Sequence, residues 1–244
     1  MRVAQGLDLQ VAASKVGKYS VSESGDTVEM IERPQGGVSV VLADGQRSGR
    51  AAKLISNIAG RKILSLLADG VRDGAAARAA HDYLRTIRQG KVSAEVSIIS
   101  VDLETDTIVV SRNSRCPALL VQIDDNALQS RLIDEPGVPI GIHSRTKPII
   151  TEFQIQANMY VVVFSDGILS AGCRRDVTFD IEEFVCRLLN ERSLDALDLA
   201  DAILARAVEL DDGRPVDDAS VIVLAVRPDT AGDIARRMTL RFPI

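Results

Sequence analysis

Two stretches of this sequence share one pattern, in which a run of β-branched residues ends in Asp-Gly and leads into a helix-like segment. They are Val38–Lys53 (VSVVLADGQRSGRAAK) and Met159–Cys173 (MYVVVFSDGILSAGC). Asp-Gly is a common turn, and three further pairs, at Asp69, Asp73 and Asp212, end no strand pattern. At the mouth of a core strand, the backbone holds a carboxylate rigidly beside a glycine that a ligand can approach. Asp44-Gly45 and Asp166-Gly167 therefore suit a metal ion.

The composition limits which partners such a chain can have. With 244 residues and 46% hydrophobic content, it can form one large domain with a sizeable core. The net charge is −5, the pI is near 5.2, and no run of lysines or arginines is present. A nucleic-acid partner or an anionic membrane surface is therefore not expected. The acidity favours solubility or cation binding.

The cysteines and histidines exclude several kinds of site. Cys116, Cys173 and Cys186 are odd in number and lack CxxC spacing, which disfavours a disulfide framework and predicts a reducing cytoplasm. His81 and His143 have no histidine partner at metal spacing, so both are expected in packing or surface roles. The sequence shows neither a signal pattern nor an apolar run long enough to span a membrane. Any catalysis must then rest on carboxylates.

The first part of the chain predicts a β-hairpin that brings two aspartates together. Strands are expected at Leu7–Ala13, Tyr19–Ser22, Thr27–Glu32 and Val38–Ala43. The turn from Arg33 to Gly37 pairs the last two strands, which places Asp26 near Asp44 at one end of the sheet. Two adjacent anions favour a cation between them, although Ser24-Gly25-Asp26 is also an ordinary turn sequence.

The rest of the chain predicts two helical pairs and further strands. Ser48 is a candidate N-cap for a helix to about Leu67, with breaks expected at Asp69-Gly70 and Asp73-Gly74. Further helices are expected at Ala75–Arg88, Ile181–Asn190 and Leu194–Leu210. A three-strand meander is predicted over Ala94–Asp102, Thr107–Arg112 and Ala118–Ile123, followed by a loop over Asp124–Arg145 and strands at Ile149–Ile155 and Ala219–Val226. The acidic residues could all lie along one sheet edge, and the tail Ala231–Ile244 could be an edge strand or a docking arm.

Four motifs in this order resemble the metal-dependent serine/threonine protein phosphatases of the PPM family, and most closely their bacterial SpoIIE-type branch with its short single-domain members. The motifs are Gly25-Asp26, the VLADG segment within Val41–Ala52, VVVFSDG at Val161–Gly167, and DDASVIVL at Asp217–Leu224. The resemblance covers about Leu7–Arg227. It implies one domain over residues 1–244, with a tail at residues 228–244. The implied fold is α+β, an αββα sandwich of two antiparallel sheets flanked by helical pairs.

The resemblance also implies a two-metal catalytic site at one end of the sandwich. The implied ligands are Asp26, Asp44, the Gly45 carbonyl, Asp166 and Asp217, with Asp218 supporting the site. Independently of the resemblance, oxygen ligands without nearby imidazole or thiolate suit Mn²⁺ or Mg²⁺. Two such ions can activate a water for attack on a phosphate, which requires no protein nucleophile.

One residue departs from the family pattern. Arg47 stands where the loop after Asp44-Gly45 usually has a glycine. If that position requires a positive φ, Arg47 carries backbone strain. The Arg47 side chain either extends into solvent or donates to a substrate phosphate. Arg50 is a weaker candidate for the same role.

Three functions are compatible with these observations to different degrees. The first is a phosphoserine/phosphothreonine phosphatase that uses Mn²⁺ or Mg²⁺. The second is a PPM-fold binding module without turnover, for which Arg47 is the argument. The third, a phosphate-binding nucleotide loop at Gly45–Gly49, lacks the Gly-Lys-Ser/Thr and GxGxxG patterns. The resemblance further implies a cytoplasmic role in stress or partner-switching signalling, with a phosphorylated regulatory protein as substrate, such as an anti-sigma-factor antagonist or a stressosome-type scaffold.

Overall fold

A computed structural model describes residues 6–124, 127–229, 232 and 235–241 of the chain. Ten strands are present among these residues: β1 (Leu7–Val16), β2 (Asp26–Glu32), β3 (Gly37–Gly45), β4 (Ala94–Asp102), β5 (Thr107–Asn113), β6 (Ala118–Asp124), β7 (Ala127–Ile133), β8 (Ile149–Gln154), β9 (Met159–Phe164) and β10 (Ala219–Pro228). The helices are α1 (Gly49–Ala68), α2 (Asp73–Ile87), α3 (Asp166–Leu169), α4 (Ile181–Glu191) and α5 (Ala196–Leu210), and a 3-10 turn covers Cys173–Arg175.

The strands form two antiparallel five-stranded sheets. One sheet has the order β2-β3-β4-β5-β8 and the other β1-β10-β9-β6-β7. Three hydrophobic cores define the layers: one between the sheets, one between the first sheet and helices α1 and α2, and one between the second sheet and helices α4 and α5. This is the αββα sandwich that the resemblance to the PPM family implied.

Alternation along the strands explains why both faces of each sheet are covered. In β3, Val40 and Leu42 face the core between the sheets, whereas Val41 and Ala43 face α1. Helix α1 packs against this face through a buried stripe of small and aliphatic residues at helical spacing: Ala52, Ile55, Ala59, Ile63 and Leu67. The predicted β2–β3 hairpin is confirmed, with Asp26 directly opposite Asp44.

The predicted meander and the loop that follows it are wrong in part. Strands β4 and β5 pair as expected, but β6 crosses to the other sheet, where it pairs with β9 and β7. The region predicted as loop contains the edge strand β7, in which only Leu128, Leu132 and Ile133 are partly or fully buried and the other four residues are exposed, so its hydrophobic signal is weak. The choice of sheet depends on long-range pairing, which local alternation does not encode.

Two other predicted elements also differ. Tyr19–Ser22 is a turn, because Val21 N–H donates to the Lys18 carbonyl and Ser20 has a φ of +67°. Asp73-Gly74 begins α2 instead of breaking the chain. In the tail, the described residues 235–241 form no strand, and the remaining tail positions after residue 229, except residue 232, lie outside the described residues.

One of the two histidines is buried, the other is exposed, and the three cysteines form no disulfide among themselves. His81 is buried in α2, and its Nδ1 accepts a hydrogen bond of 3.1 Å from the Gly141 N–H. His143 is exposed, and Cys116, Cys173 and Cys186 are all free thiols. None of the helices in the described parts of the chain is long and apolar enough to cross a membrane.

The two Asp-Gly pairs owe their glycines to close packing. A Cβ at Gly45 would collide with the carbonyl oxygen of Ala52, in the first turns of α1. A Cβ at Gly167 would collide with the carbonyl oxygen of Asp218, just before β10. Each glycine therefore lets a second segment lie directly against the strand end that carries an aspartate. This contact sets how far α1 stands from β3 and how far α3 stands from β10.

We predict that Gly45→Ala destabilises the fold by roughly 1–3 kcal/mol, because the added methyl group pushes α1 away from β3. Urea unfolding followed by circular dichroism measures the change. Gly60→Ala is the matched control, since a Cβ there makes ordinary contacts of 3.6 Å or more and alanine favours the helix. Equal stability of the two variants would contradict this account of Gly45.

Candidate active site

Three carboxylates form a row across the end of the first sheet. Asp26 on β2 is the direct cross-strand partner of Asp44 on β3, which in turn is the direct partner of Glu95 on β4. Leu42 and Ile99 face the core between the sheets. Asp44 and Glu95 lie two and four positions from them, so both point to that same inner face. The row thus points toward the second sheet.

The second sheet contributes aspartates at the same end of the sandwich. Asp166 follows β9 as the first residue of α3, and Asp217 and Asp218 directly precede β10. A cavity of about 350 Å³ lies between the two sheet ends. Its acidic lining residues are Asp44, Glu95, Asp166, Asp217 and Asp218. The expectation of a single sheet edge is corrected, because both sheets supply the carboxylates.

Asp218 acts as a clamp between the N-terminal loop and β10. Its buried carboxylate accepts hydrogen bonds from the Lys18 N–H at 2.9 Å and from the Gly25 N–H at 2.8 Å. Each of its two oxygens is therefore engaged by backbone. These hydrogen bonds fix the position of Gly25 and, with it, of the neighbouring Asp26.

Asp211 holds the two aspartate-bearing loops of the second sheet together. Its buried carboxylate accepts from the Gly172 N–H, beyond α3, and from the Val216 N–H, next to Asp217, each at 2.8 Å. The loop that follows Asp166 and the loop that carries Asp217 are thereby tied to one side chain. No motif in the sequence singles out Asp211.

Asp26 is fully buried, and only one of its two carboxylate oxygens has a hydrogen-bond partner. Its Oδ2 accepts from the Ser220 hydroxyl at 2.6 Å, whereas its Oδ1 is buried without a hydrogen-bond partner. Its backbone carbonyl accepts from the ammonium groups of Lys53 at 2.6 Å and Lys15 at 3.1 Å. A buried carboxylate oxygen without a partner is costly and indicates a group that would bind there.

Burial, and after it the neighbouring negative charges, raises the pKa values of these carboxylates. Burial, followed by the charges of Asp26 and Asp166, raises the pKa of Asp44 to about 9. Burial also raises the pKa of Asp26 to about 6, against the lowering effect of the Ser220 hydroxyl. Partial burial and the neighbouring Asp217 and Glu95 carboxylates raise the pKa of Asp166. The cavity is thus electrostatically unfavourable for its own anions and favourable for a cation.

The donor set fits a hard divalent cation. The cavity presents carboxylate oxygens, and the unpartnered Asp26 Oδ1 lies on the same sheet end, which suits Mn²⁺ or Mg²⁺. Within the described ranges, however, no three His, Cys, Asp or Glu side chains are grouped closely enough to hold one metal ion. The structure therefore gathers the predicted carboxylates at one cavity without bringing them to ligand distances of a common point.

Cationic side chains lie at the rim of the same cavity. Its lining includes Lys18, Arg47 and Arg115, whereas Arg50 is exposed in α1 outside it. Arg47 has a φ of +77°, in the left-handed region, and its side chain is exposed. The strain expected from an arginine at a glycine position is therefore present in the backbone. The sequence patterns did not indicate Lys18, Arg115 or Glu95, although Glu95 lies within the predicted strand Ala94–Asp102 and is opposite Asp44.

We predict that the metal-free protein loses stability as the pH rises from 5 to 9. The pKa of Asp44 lies at about 9 in the folded protein and near 3.8 when unfolded, so the folded state binds more protons in this interval. Urea unfolding in EDTA should show a smaller loss for Asp44→Asn, which cannot ionise. Asp82→Asn, at an exposed position of α2, is the control and should follow the wild type. Identical pH slopes for wild type and Asp44→Asn would contradict the raised pKa.

We predict that Arg47→Gly stabilises the protein by roughly 0.5–1 kcal/mol. A left-handed non-glycine residue costs roughly 1–2 kcal/mol, and the freedom of glycine in the unfolded chain offsets part of that gain. The same exchange at Arg50, inside α1, should instead destabilise, since glycine disfavours helix. Thermal and urea unfolding of both variants measure the difference. A loss of stability in Arg47→Gly would show that the side chain makes contacts that outweigh the strain.

Comparison with known proteins finds a family model that covers most of the chain. The family model described as Stage II sporulation protein E (SpoIIE) matches residues 34–227, which is most of the chain. No curated protein matches the sequence. The matched range contains Asp44, Asp166 and Asp217 and leaves out Asp26.

Three solved structures show the same fold at low identity. The first is a structure of SpoIIE from Bacillus subtilis that contains its PP2C phosphatase domain and a fragment of its regulatory domain. It is 20% identical with a TM-score of 0.75, and the match covers 92% of this chain and 64% of that one. The catalytic domain of the serine/threonine phosphatase PstP, in complex with two manganese ions, is 17% identical with a TM-score of 0.64, covering 91% and 99%. The RsbU and RsbW domains of a Mycobacterium tuberculosis protein are 16% identical with a TM-score of 0.70, covering 91% and 61%. The chain thus spans less than two thirds of the first and third of these.

Proposed function

The chain belongs to the SpoIIE family of PPM-fold phosphatases, and we propose that it is a protein phosphatase that hydrolyses phosphoserine or phosphothreonine on a regulatory protein with the help of Mn²⁺ or Mg²⁺. One observation carries the proposal: Asp44, Asp166 and Asp217, on three segments that are far apart in sequence, line one cavity at the end of the sandwich. The unpartnered Oδ1 of the buried Asp26 supports a cation there.

The residues that would hold the cations are Asp26, Asp44, Asp166 and Asp217, together with the backbone carbonyl of Gly45. When bound, the cations would supply Lewis-acid activation of the attacking water and neutralise the phosphate. The relative that binds two manganese ions supports the metal class. A carboxylate beside a cation binds a proton less tightly. Bound cations would therefore also lower the raised pKa values of Asp44 and Asp166.

The other residues of the site keep these carboxylates in place. Asp218 holds the Gly25 N–H, next to Asp26, and Asp211 holds the loops that carry Asp166 and Asp217. Such supports matter because a carboxylate displaced by about 1 Å no longer aligns the reacting atoms. At the rim, the cationic side chains, Arg47 among them, would attract the substrate phosphate. No nucleophilic side chain is required.

The substrate we propose is a phosphorylated regulatory protein of a partner-switching pathway, such as an anti-sigma-factor antagonist or a stressosome-type scaffold. The similarity to a protein that contains RsbU and RsbW domains supports this class of partner. The competing function is a binding module without turnover. Two observations support it: the backbone of Arg47 is strained, and the described residues contain no group of ligands close enough to hold one metal ion.

Hydrolysis assays with p-nitrophenyl phosphate and a phosphothreonine peptide test the proposal. We expect activity with Mn²⁺ or Mg²⁺ and its loss in EDTA. Protein that is folded by circular dichroism but inactive toward both substrates with either metal would favour the binding module.

We predict that Asp44→Asn and Asp166→Asn each lower Mn²⁺-dependent hydrolysis at least about 100-fold, because each removes one ligand charge. The fold should persist, since neither side chain is part of a hydrophobic core. Asp82→Asn, with the same chemical change on the outer face of α2, should keep wild-type activity. Full activity of either site variant would refute the ligand assignment.

A further inference from the structure

Glu95 makes two hydrogen bonds that fix the loop between β5 and β6. Its Oε2 accepts from the Ser114 hydroxyl at 2.7 Å and from the Arg115 N–H at 3.0 Å. The Ser114 hydroxyl oxygen in turn accepts from the Cys116 N–H at 3.0 Å. A carboxylate on the rigid strand β4 thus holds the backbone on which Arg115 is mounted.

The far side of this loop is held equally firmly. The fully buried Arg112 donates to the backbone carbonyls of Cys116 and Glu135. The Gly137 N–H donates to the Ser114 carbonyl at 2.8 Å, and a Cβ on Gly137 would lie 2.8 Å from the Ser114 backbone. The backbone at residues 114–116 is therefore fixed from both sides.

The Arg115 side chain, in contrast, is mostly exposed to solvent. It lines the cavity, and 77% of its side-chain surface is exposed. Its ion pair with Glu95 measures 3.8 Å between Nε and Oε1, which is too long for a hydrogen bond. The guanidinium therefore keeps its donors available above an acidic floor.

The other two rim cations are less suited to hold a ligand group. Lys18 faces Asp217 at 3.8 Å between Nζ and Oδ1 and offers a point charge. Arg47 stands on a strained, left-handed backbone. Arg115 alone among the three combines a backbone fixed by a buried network with a planar fork of donors. That fork matches the oxygens of a phosphate monoester in a bidentate manner.

We propose that Arg115 is a substrate-binding residue that grips the phosphoryl group of the substrate, and that Glu95 is the residue that positions its loop. This inference rests on the proposed function in that the ligand is a phosphate monoester. Arg115 would offset the charge of the cavity carboxylates at the point where the phosphate dianion enters. Glu95 keeps that point fixed relative to Asp44, its neighbour across the strands.

Phosphate binding and hydrolysis together test the role of Arg115. Calorimetric titration of the Mn²⁺-loaded protein with inorganic phosphate should give an affinity about tenfold weaker in Arg115→Gln and a partial recovery in Arg115→Lys. The KM for p-nitrophenyl phosphate should rise by a similar factor. The affinity for Mn²⁺, titrated separately, should not change. Arg131→Gln, at an exposed position of the edge strand β7, is the matched control and should behave as wild type in all three measurements.

The outcomes separate this inference from the function on which it rests. Wild-type protein that hydrolyses p-nitrophenyl phosphate while Arg115→Gln keeps its KM and phosphate affinity would overturn the role of Arg115 alone. Wild-type protein that binds phosphate without turnover would overturn the phosphatase proposal, and the titration would still decide on Arg115. If wild-type protein binds no phosphate, the role of Arg115 is wrong.

Two variants of Glu95 test its positioning role. Glu95→Gln keeps an oxygen that accepts from Ser114 and Arg115, whereas Glu95→Ala removes it. We expect Glu95→Ala to raise the KM about tenfold and Glu95→Gln to restore most of the wild-type value. If both variants raise the KM equally, the charge of Glu95 matters instead of the loop, and the positioning role is wrong.

Discussion

Electrostatic repulsion among buried carboxylates is the constraint that the rest of this structure must offset. Asp26, Asp44 and Asp166 meet at one end of the sandwich, where burial and mutual repulsion raise their pKa values. An isolated cluster of this kind would drive the two sheets apart. It is held by hydrogen bonds that reach across the chain: the Asp218 carboxylate binds the loop before β2, and the Ser220 hydroxyl binds the Asp26 carboxylate. The supports of the site are therefore also the contacts that join the two sheets at this end.

Close packing at two glycines gives these hydrogen bonds a fixed frame. Gly45 allows the backbone of α1 to lie against the end of β3, and Gly167 allows the segment before β10 to lie against α3. Ala52, on α1, also limits the room at Gly25, next to Asp26. A single small contact region therefore sets the distance between the helical layer, the first sheet and the N-terminal loop. Backbone packing is less adaptable than side-chain packing, so the carboxylates inherit a defined placement.

Local sequence patterns predicted those structural elements that are determined by residues close together in the chain. The strand that ends in Asp44-Gly45, the β2–β3 hairpin and the long helices are of this kind, because alternation, turn residues and helical spacing are written in contiguous residues. The crossing of β6 to the second sheet depends on β9, a partner far away in sequence, and the edge strand β7 follows β6 there. Glu95 was missed for the same reason: only the register of β4 against β3 places it beside Asp44. The four predicted aspartates lie at one sandwich end, but their role as ligands remains a prediction.

The cavity separates two tasks that the same reaction requires. Its floor is acidic and suits divalent cations, whereas its rim carries Lys18, Arg47 and Arg115, which suit an anionic substrate. In the proposed reaction, a phosphate that reached the floor without cations would be repelled, so the cations and the substrate would be held by different groups. The floor is built on strand ends that both sheets fix, while the rim is built on loops whose residues can change without disturbing the cores. Arg47, at a position with a positive φ, shows that the rim tolerates a residue that the backbone disfavours. The choice of substrate is therefore expected to depend on the rim, and the chemistry on the floor.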